Sequence, residues 1–480
     1  MLLEERINKI KNSNNNSCDF NSRIINVKNK KIGYIFLESV SSDDKISDYL
    51  VKSLNKDLKK SLFNDLFHEL ENSICNSKIK SITEDEIFYY LTSGFTCILI
   101  ENEDKIIAVE TKSKLDRGVS ETSIESIVRG PKDSFTENHM INIGLIRKRI
   151  KDINLVFEEI KIGKRTQTKV SVAYINDIVK KEKIDKINEK LKKIDIDGIL
   201  DSGVLKTYLC GKNKSNFPKI ISTERPDNCC QHLLDGRIVI LVENSPIALI
   251  IPGIMIDIFH IPEDYYQQPF NVTITRALRL LGFLITILTP ALYIALTTFN
   301  FEIVPNNLLI SIAVQRQGVP FPTGIEVLLL LTTFEILRES DARLPNQMGA
   351  AVSIVGALVL GEAAVSAGIV SPIVLIIVAA TSVSGLLYTD IDVVNAIRLW
   401  RIIFILAATF MGLIGIVVMG IIFITKLSSI ECLGTPYTSS FSPFNLDSQK
   451  DAIIKFPQNK IKKRPFFLKD KDNTKTGDIK

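Results

Sequence analysis

The residues in this chain with chemistry to offer are acids and bases set into apolar sequence. Glu326 and Glu335 interrupt the Leu-rich run EVLLLLTTFEILRE, and Glu362 closes a helical stripe formed with Val352, Val355 and Val359. A carboxylate near membrane depth is costly unless it is paired or lines water, so Glu362 is a functional candidate, and Glu326 and Glu335 must each find an arginine, water or a neighbouring donor. If several copies of the chain surround an axis, the valines form a hydrophobic constriction that gates by dewetting, and Glu362 forms an acidic ring beside it. The adjacent stripe, Gly349, Ser353, Gly356 and Ala363, is suited to close helix packing in lipid. The bland alternative for Glu362 is a solvated position near a loop. Glu326, Glu335, Arg338 and Arg343 are the candidate polar or coupling residues of the apolar region, with Glu335 and Arg338 one helical turn apart. The run 338–343 reads as an interfacial polar patch, or as a surface that couples to a partner.

Spacing excludes most other chemistry. The four histidines, His68, His139, His232 and His260, are far apart and lack an HExxH pattern, and the seven cysteines lack a repeated CxxC, so neither a metal site nor a cofactor is implied. The adjacent Cys229 and Cys230 read as buried thiols rather than a vicinal disulfide. No GxxxxGK[ST] loop or GxSxG elbow is present, and no constellation able to split or transfer a bond is found, so the chain is not read as an enzyme. Lysines alternate with acids, as in KKEKIDKINEKLKKIDID, which describes a solvated helix face and not a nucleic-acid groove. The charged turn Glu224, Arg225, Pro226, Asp227 reads as a solvated loop, with an inter-subdomain or ligand role as the alternative.

The elements that must position these residues fall into two halves. Residues 1–261 are dense in Lys, Asp, Glu and Asn, whereas 278–425 are dominated by Leu, Ile, Val, Ala and Gly. The fold class expected is therefore an α/β cytoplasmic region of two small subdomains followed by an all-α polytopic membrane domain. Residues 1–26 are Asn-rich and read as a flexible tail. Residues 27–128 form the first subdomain, with strands at KIGYIFLESV, FTCILIE and KIIAVET and helical patterns at ISDYLVKSLNKDL and DEIFYYLTSG. Residues 129–261 form the second, in which GLIRKRIKDINLVFEEIKIG and IVKKEKIDKINEKLKKID read as helices, TKVSVAYI as a strand, and RIVILV with IALIIP as a hairpin.

Tyr265, Tyr266 and Phe270 precede the apolar region, where rings suit the headgroup layer. The membrane domain, 262–425, holds about four to five helices: LLGFLITILTPALYIALTTF, kinked at Pro290, then spans at 349–368, 369–388 and 402–425, and a re-entrant element within 308–338. Arg276 and Arg279 flank the first span while NFEIVPNN carries no base, which places the N-terminal half in the cytoplasm, as does the absence of an apolar leader. Four spans plus the re-entrant element return the basic tail, 426–480, to the cytoplasm, but leave Arg398 and Arg401 on the less expected side.

The ordered series VRGPKDSFTEN, LIRKRI, ILDSGVLKTYL, FPKIISTERPDN, LLDGRIVILVENSPIALIIP, QQPFNVTITRALRLLGFLITILTPALYIALTTFNFEIVPNNLLISIA, GVPFPTGIEVLLLLTTFEILRESDARLP and GAAVSIVGALVLGEAAVSAGIVSPIVLIIVAATSV resembles the A subunit of spore germinant receptors, the GerA-type family. The resemblance covers roughly 127–425; before Ser120 no family-specific run is found. It implies a multi-pass protein of the spore inner membrane that senses small nutrients together with a transporter-like B subunit and a C-subunit lipoprotein; the leading reading adds that the chain is a homo-oligomer. In that setting the chain forms or gates an ion path that triggers germination. The competing readings are a non-conducting scaffold and a secondary transporter; the short apolar region without an evident inverted repeat speaks against the last.

Overall fold

The computed structural model describes residues 3–27, 30–51, 78–113, 125, 127–211, 216–341, 359, 361–468, 471–472 and 474–475. Its N-terminal half is built on two five-stranded antiparallel sheets. The first contains β1 (Phe20–Val27), β2 (Lys30–Leu37), β3 (Ile79–Ile82), β4 (Phe95–Ile100) and β5 (Ile106–Glu110), in the order β1-β2-β4-β5-β3. The second contains β6 (Leu155–Ile162), β7 (Thr168–Ile175), β8 (Ile221–Thr223), β9 (Ile238–Val242) and β10 (Ala248–Ile251), in the order β6-β7-β9-β10-β8.

The two orders are the same, and the likeness extends to single residues. Gly94 before β4 and Gly236 before β9 both have positive φ, and so do Asn102 and Asn244 after those strands. Glu101 accepts a hydrogen bond from the Lys31 N–H at 3.1 Å, and Glu243 accepts one from the Lys169 N–H at 3.0 Å. The sequences behind this are GFTCILIEN and GRIVILVEN. Glycine and asparagine recur there because each turn needs a left-handed residue, which those two types adopt most readily. The N-terminal half is thus a structural duplication.

Between the sheets lie α1 (Leu3–Ser13), α2 (Ile87–Thr92), α3 (His139–Arg149) and, following β8, a helix at Pro226–Leu234, all contributing to one continuous core. Residues 1–26, expected as a flexible tail, are instead structured from Leu3 onward. Leu3, Ile7 and Ile10 form one buried stripe of α1, packed against β2, where a Cβ on Gly33 would meet Ile7 Cδ1 at 2.6 Å. Three apolar side chains at helical spacing suffice when an open sheet face awaits cover. Asp19 then locks the segment down: Arg147 donates to both its carboxylate oxygens at 3.0 Å, and Ser17 and Ser39 donate at 2.7 Å, all buried.

A second correction concerns LVFEEIKI, read as the continuation of a helix but present as β6, because the chain turns at Asp152, whose carboxylate accepts from the Asn154 N–H. The strands read from KIGYIFLESV, FTCILIE, KIIAVET, TKVSVAYI, RIVILV and IALIIP are all present. The pattern ISDYLVKSLNKDL is helical as far as Val51, and its remainder lies outside the described residues.

The helical region begins with α4 (Pro269–Thr298), followed by α5 (Asn306–Gln315), α6 (Thr323–Asp341), α7 (Pro372–Gly385) and α8 (Ile391–Ser428). By length and composition, α4 with 30 residues and the 38-residue run of α8 are candidate membrane spans, but α8 is not one straight helix. The expected single span at 402–425 is not what forms. Gly412 in α8 has φ 60° and ψ −140°, and the chain doubles back there. In a straight helix Trp400 and Phe423 would stand roughly 35 Å apart, yet their ring centroids are 4.7 Å apart, and Lys426 lies 5.7 Å from the Trp400 ring centre. The Asn300 side chain accepts from the Leu413 N–H at 3.3 Å, meeting a donor left over by the break. A Cβ at Gly412 would sit 2.8 Å from Phe299 Cβ, so glycine is required for the approach as well as for the backbone angles.

Of the other expected spans, 369–388 contains the 14-residue α7, and 349–368 lies largely outside the described residues. The 308–338 stretch is two helices, α5 and α6, separated by the VPFP segment. The basic tail is not a free appendage: Tyr437, Ala452 and Leu468 are buried, and Met255 donates its N–H to the Tyr437 carbonyl.

Candidate functional site

Charged side chains are buried at three levels of the helical region. At one end, Glu326 in the first turn of α6 is fully buried, and its Oε1 accepts from both the N–H and the hydroxyl of Ser371 at 2.6 Å. Ser371 is the N-cap of α7 and makes no side-chain cap of its own, and Glu326 accepts the N–H and hydroxyl of this N-cap residue instead. Its Oε2 lies 3.9 Å from Arg316 Nε.

Midway toward the sheets, Glu335 of α6 faces α8. Arg401 donates to its Oε1 at 2.6 Å, Arg398 Nε stands 2.8 Å from Oε2, and Arg338 Nε stands 3.8 Å from Oε2. The local Glu335–Arg338 pair read from spacing is therefore the weakest of three contacts. Arg398 and Arg401 fall at the sheet end of α8, not the far end. Lys206 pairs with Asp392 at 2.5 Å and Tyr388 donates to the Arg279 carbonyl, which ties the start of α8 to the N-terminal half. The physical reason is the reversal at Gly412, which adds an arm that the span count lacked.

The third level is a collar where the sheets meet the helices. Asp264 accepts from Arg276 Nε at 2.9 Å and from both terminal nitrogens of Arg279 at 2.9 and 3.0 Å. Arg276 also donates to Asp451 and to the Ala452 carbonyl, clamping the C-terminal segment. Asp257 receives a two-pronged bond from Arg237, at 2.7 and 2.8 Å. Tyr265 lies under Lys455, whose Nζ is 4.0 Å from the ring centre, and Tyr266 donates to Asp227, while Phe270 is exposed. Two of the three collar rings are therefore turned to protein rather than headgroups. The Glu224–Asp227 turn, expected to be solvated, is buried: Arg225 donates to both oxygens of Asp227 and to the Pro131 carbonyl, joining the linker after the first sheet to the helix after β8.

His232 and His260 are enclosed in this collar. Burial, reinforced by Arg237, pushes His232 down to about 3, and burial with Arg276 nearby pushes His260 down to about 4. Both imidazoles are neutral in the fold, whereas an unfolded chain takes up their protons near pH 6.5. Stability is therefore unaffected by them above pH 6.5 and lost progressively as pH falls from there toward 4. Burial also opposes ionisation of Asp257 and Asp264, but their arginine partners outweigh it and hold both below the ordinary value of 3.8, which removes further stability below that window, as pH falls under the ordinary carboxylate value. The unfolding midpoint of the full chain in detergent should fall between pH 6.5 and 4, and His260→Gln should flatten part of that slope. A midpoint flat across the window contradicts the burial.

Of the proposed constriction, Val359 is 54% exposed, and Glu362 and Ala363, in the helical stretch 361–366, are exposed as well. The opposite side of that helix packs on α7, where a Cβ at Gly361 would meet Leu375 at 3.1 Å. Val352, Val355, Gly349, Ser353, Gly356 and Arg343 lie outside the described residues. The six described cysteines are free thiols, Cys229 and Cys230 among them buried, and Cys75 and His68 lie outside the described residues. What spacing missed was the long-range pairing: Arg316, Arg398 and Arg401 were visible as bases in apolar sequence, but not as partners of Glu326 and Glu335.

Comparison with known proteins places this architecture. The family model described as Bacillus/Clostridium GerA spore germination protein matches residues 8–467. The chain is 39% identical over 393 residues to "Spore germination protein KA" of Bacillus subtilis (strain 168), covering 82% of this chain and 72% of that one. It is 34% identical over 441 residues to "Spore germination protein GerLA" of Bacillus cereus, covering 92% and 90%. Among solved structures, the N-terminal domain of the A subunit of the Bacillus megaterium spore germinant receptor GerK3 aligns at 30% identity and a TM-score of 0.42, over 52% of this chain and 94% of that one. The chain belongs to the Bacillus/Clostridium GerA spore germination protein family.

Proposed function

We propose that the chain is a multi-pass A subunit of a nutrient-sensing germinant receptor in the spore inner membrane, and that several copies assemble to form or gate an ion path. The two-sheet half and the C-terminal segment lie on the cytoplasmic face. Large apolar side chains stand exposed along the helices, including Leu278, Leu281 and Leu284 of α4 and Ile414, Val417 and Ile421 of α8, a surface fit for lipid. Arg276, Arg279, Arg398 and Arg401 all gather at the sheet end, as a cytoplasmic side requires.

The observation that carries the ion path is the exposed face bearing Val359 and Glu362. A carboxylate beside apolar residues is expensive against lipid, so this face meets water and other copies of itself, with Val359 as the constriction and Glu362 as the acidic ring. A transporter-like B subunit carries nutrient recognition, and a C-subunit lipoprotein completes the complex. Val359→Cys, oxidised in native membranes, should give a chain-to-chain disulfide absent from the unsubstituted protein. Monomer alone, at equal abundance, removes the ring and leaves a non-conducting scaffold.

A further inference from the structure

A cavity of about 250 Å³ lies beside the Glu335 cluster. Its wall is apolar through Phe334, Leu337, Val383, Leu386, Val394 and Ile397, and one end is formed by Arg338, Arg398 and Arg401 with Glu335. Three guanidiniums face Glu335, with Glu339 also near Arg338, so the end still carries an excess of positive charge. The excess has hydrogen-bonding capacity to spare: Arg401 is only 4% exposed, yet its Nε has no hydrogen-bond partner among the described residues. A buried guanidinium with an idle N–H is costly unless something accepts from it.

Depth narrows what that acceptor is. Asp392 is tied to the sheet half through Lys206, and Arg398 and Arg401 follow it by roughly 9 and 14 Å along the helix. With the two-sheet half on the cytoplasmic face, as proposed above, that distance puts the guanidiniums just below the collar, at the headgroup and glycerol level of the inner leaflet, with the apolar wall deeper. We propose that this cavity is a binding site for an anionic phospholipid, its phosphodiester accepting from Arg338, Arg398 and Arg401 and the upper part of an acyl chain lying along Phe334, Leu386 and Ile397. The assignment does not depend on whether the chain conducts ions.

The protein carries its own reporter, because Trp400, beside Arg401 and opposite Phe423, is the one tryptophan of the sequence. The full chain is placed in nanodiscs of phosphatidylcholine, into which brominated phosphatidylglycerol or brominated phosphatidylcholine is titrated at equal mole fractions, and quenching of Trp400 is read. Quenching by the anionic lipid should exceed that by the zwitterionic one, and the preference should fall about fivefold for each arginine removed in Arg338→Gln and Arg398→Gln. Glu335→Gln, which deletes the competing carboxylate, should strengthen the preference, a gain that misfolding does not produce. Equal quenching by the two lipids, or a preference unchanged in these variants, overturns the proposal. Relief of the anionic quenching by millimolar inorganic phosphate would identify a free-phosphate site and overturn it too; no relief is expected.

Discussion

Asp264→Ala should leave little or no folded chain. The carboxylate is 3% exposed and holds two arginines, one of them, Arg276, fully buried. Removing it leaves Arg279 with no carboxylate among its described partners and Arg276 with Asp451 alone, and breaking a buried pair in this way costs about 3–5 kcal/mol. Arg276 keeps Asp451 and the Ala452 carbonyl, but Arg279 keeps only the Phe259 carbonyl among its described hydrogen bonds. Set against the roughly 5–15 kcal/mol that stabilises an ordinary domain, such a loss separates the sheets, the helices and the C-terminal segment, all of which meet at this residue. Asp264→Asn, which retains one acceptor, should be milder. The measurement is the thermal midpoint and monodispersity of full-length protein in detergent, and an alanine variant that unfolds at the same temperature contradicts the collar as described.

The ease with which parts of this fold can be read from sequence tracks the range of the interactions that set them. Strands such as RIVILV and FTCILIE are legible because β-branched runs bounded by turn residues form wherever a partner strand is near. The N-terminal helix was not legible, since its polar composition conceals that Leu3, Ile7 and Ile10 meet a sheet face whose glycine, Gly33, makes room for them. The duplication was available and unread: GFTCILIEN and GRIVILVEN share glycine, Ile-Leu and Glu-Asn at equal spacing, and each shared residue has the same structural duty in its own sheet.

In the apolar region the acids stand out in the sequence, because charge in greasy sequence is visible by type alone. Their partners do not, since Glu326 is satisfied by Ser371 and Glu335 by Arg398 and Arg401, across gaps that only the tertiary fold closes. Gly412 escaped for a related reason. Glycine is common in membrane helices, and what makes this one a reversal is Phe299 and Asn300, contributed by the loop after α4.

The proposed closure of an ion path by the Val359 side chains of several copies is tested by passive cation leakage through membranes that carry the assembled receptor. Val359→Ser widens and wets the proposed constriction while leaving the packing side of its helix, at Gly361 and Leu375, untouched. Without nutrient, the serine variant should release potassium several-fold faster than the parent, with spontaneous germination in spores. Leakage equal to that of the parent, at equal abundance of chain in the membrane, would contradict the account.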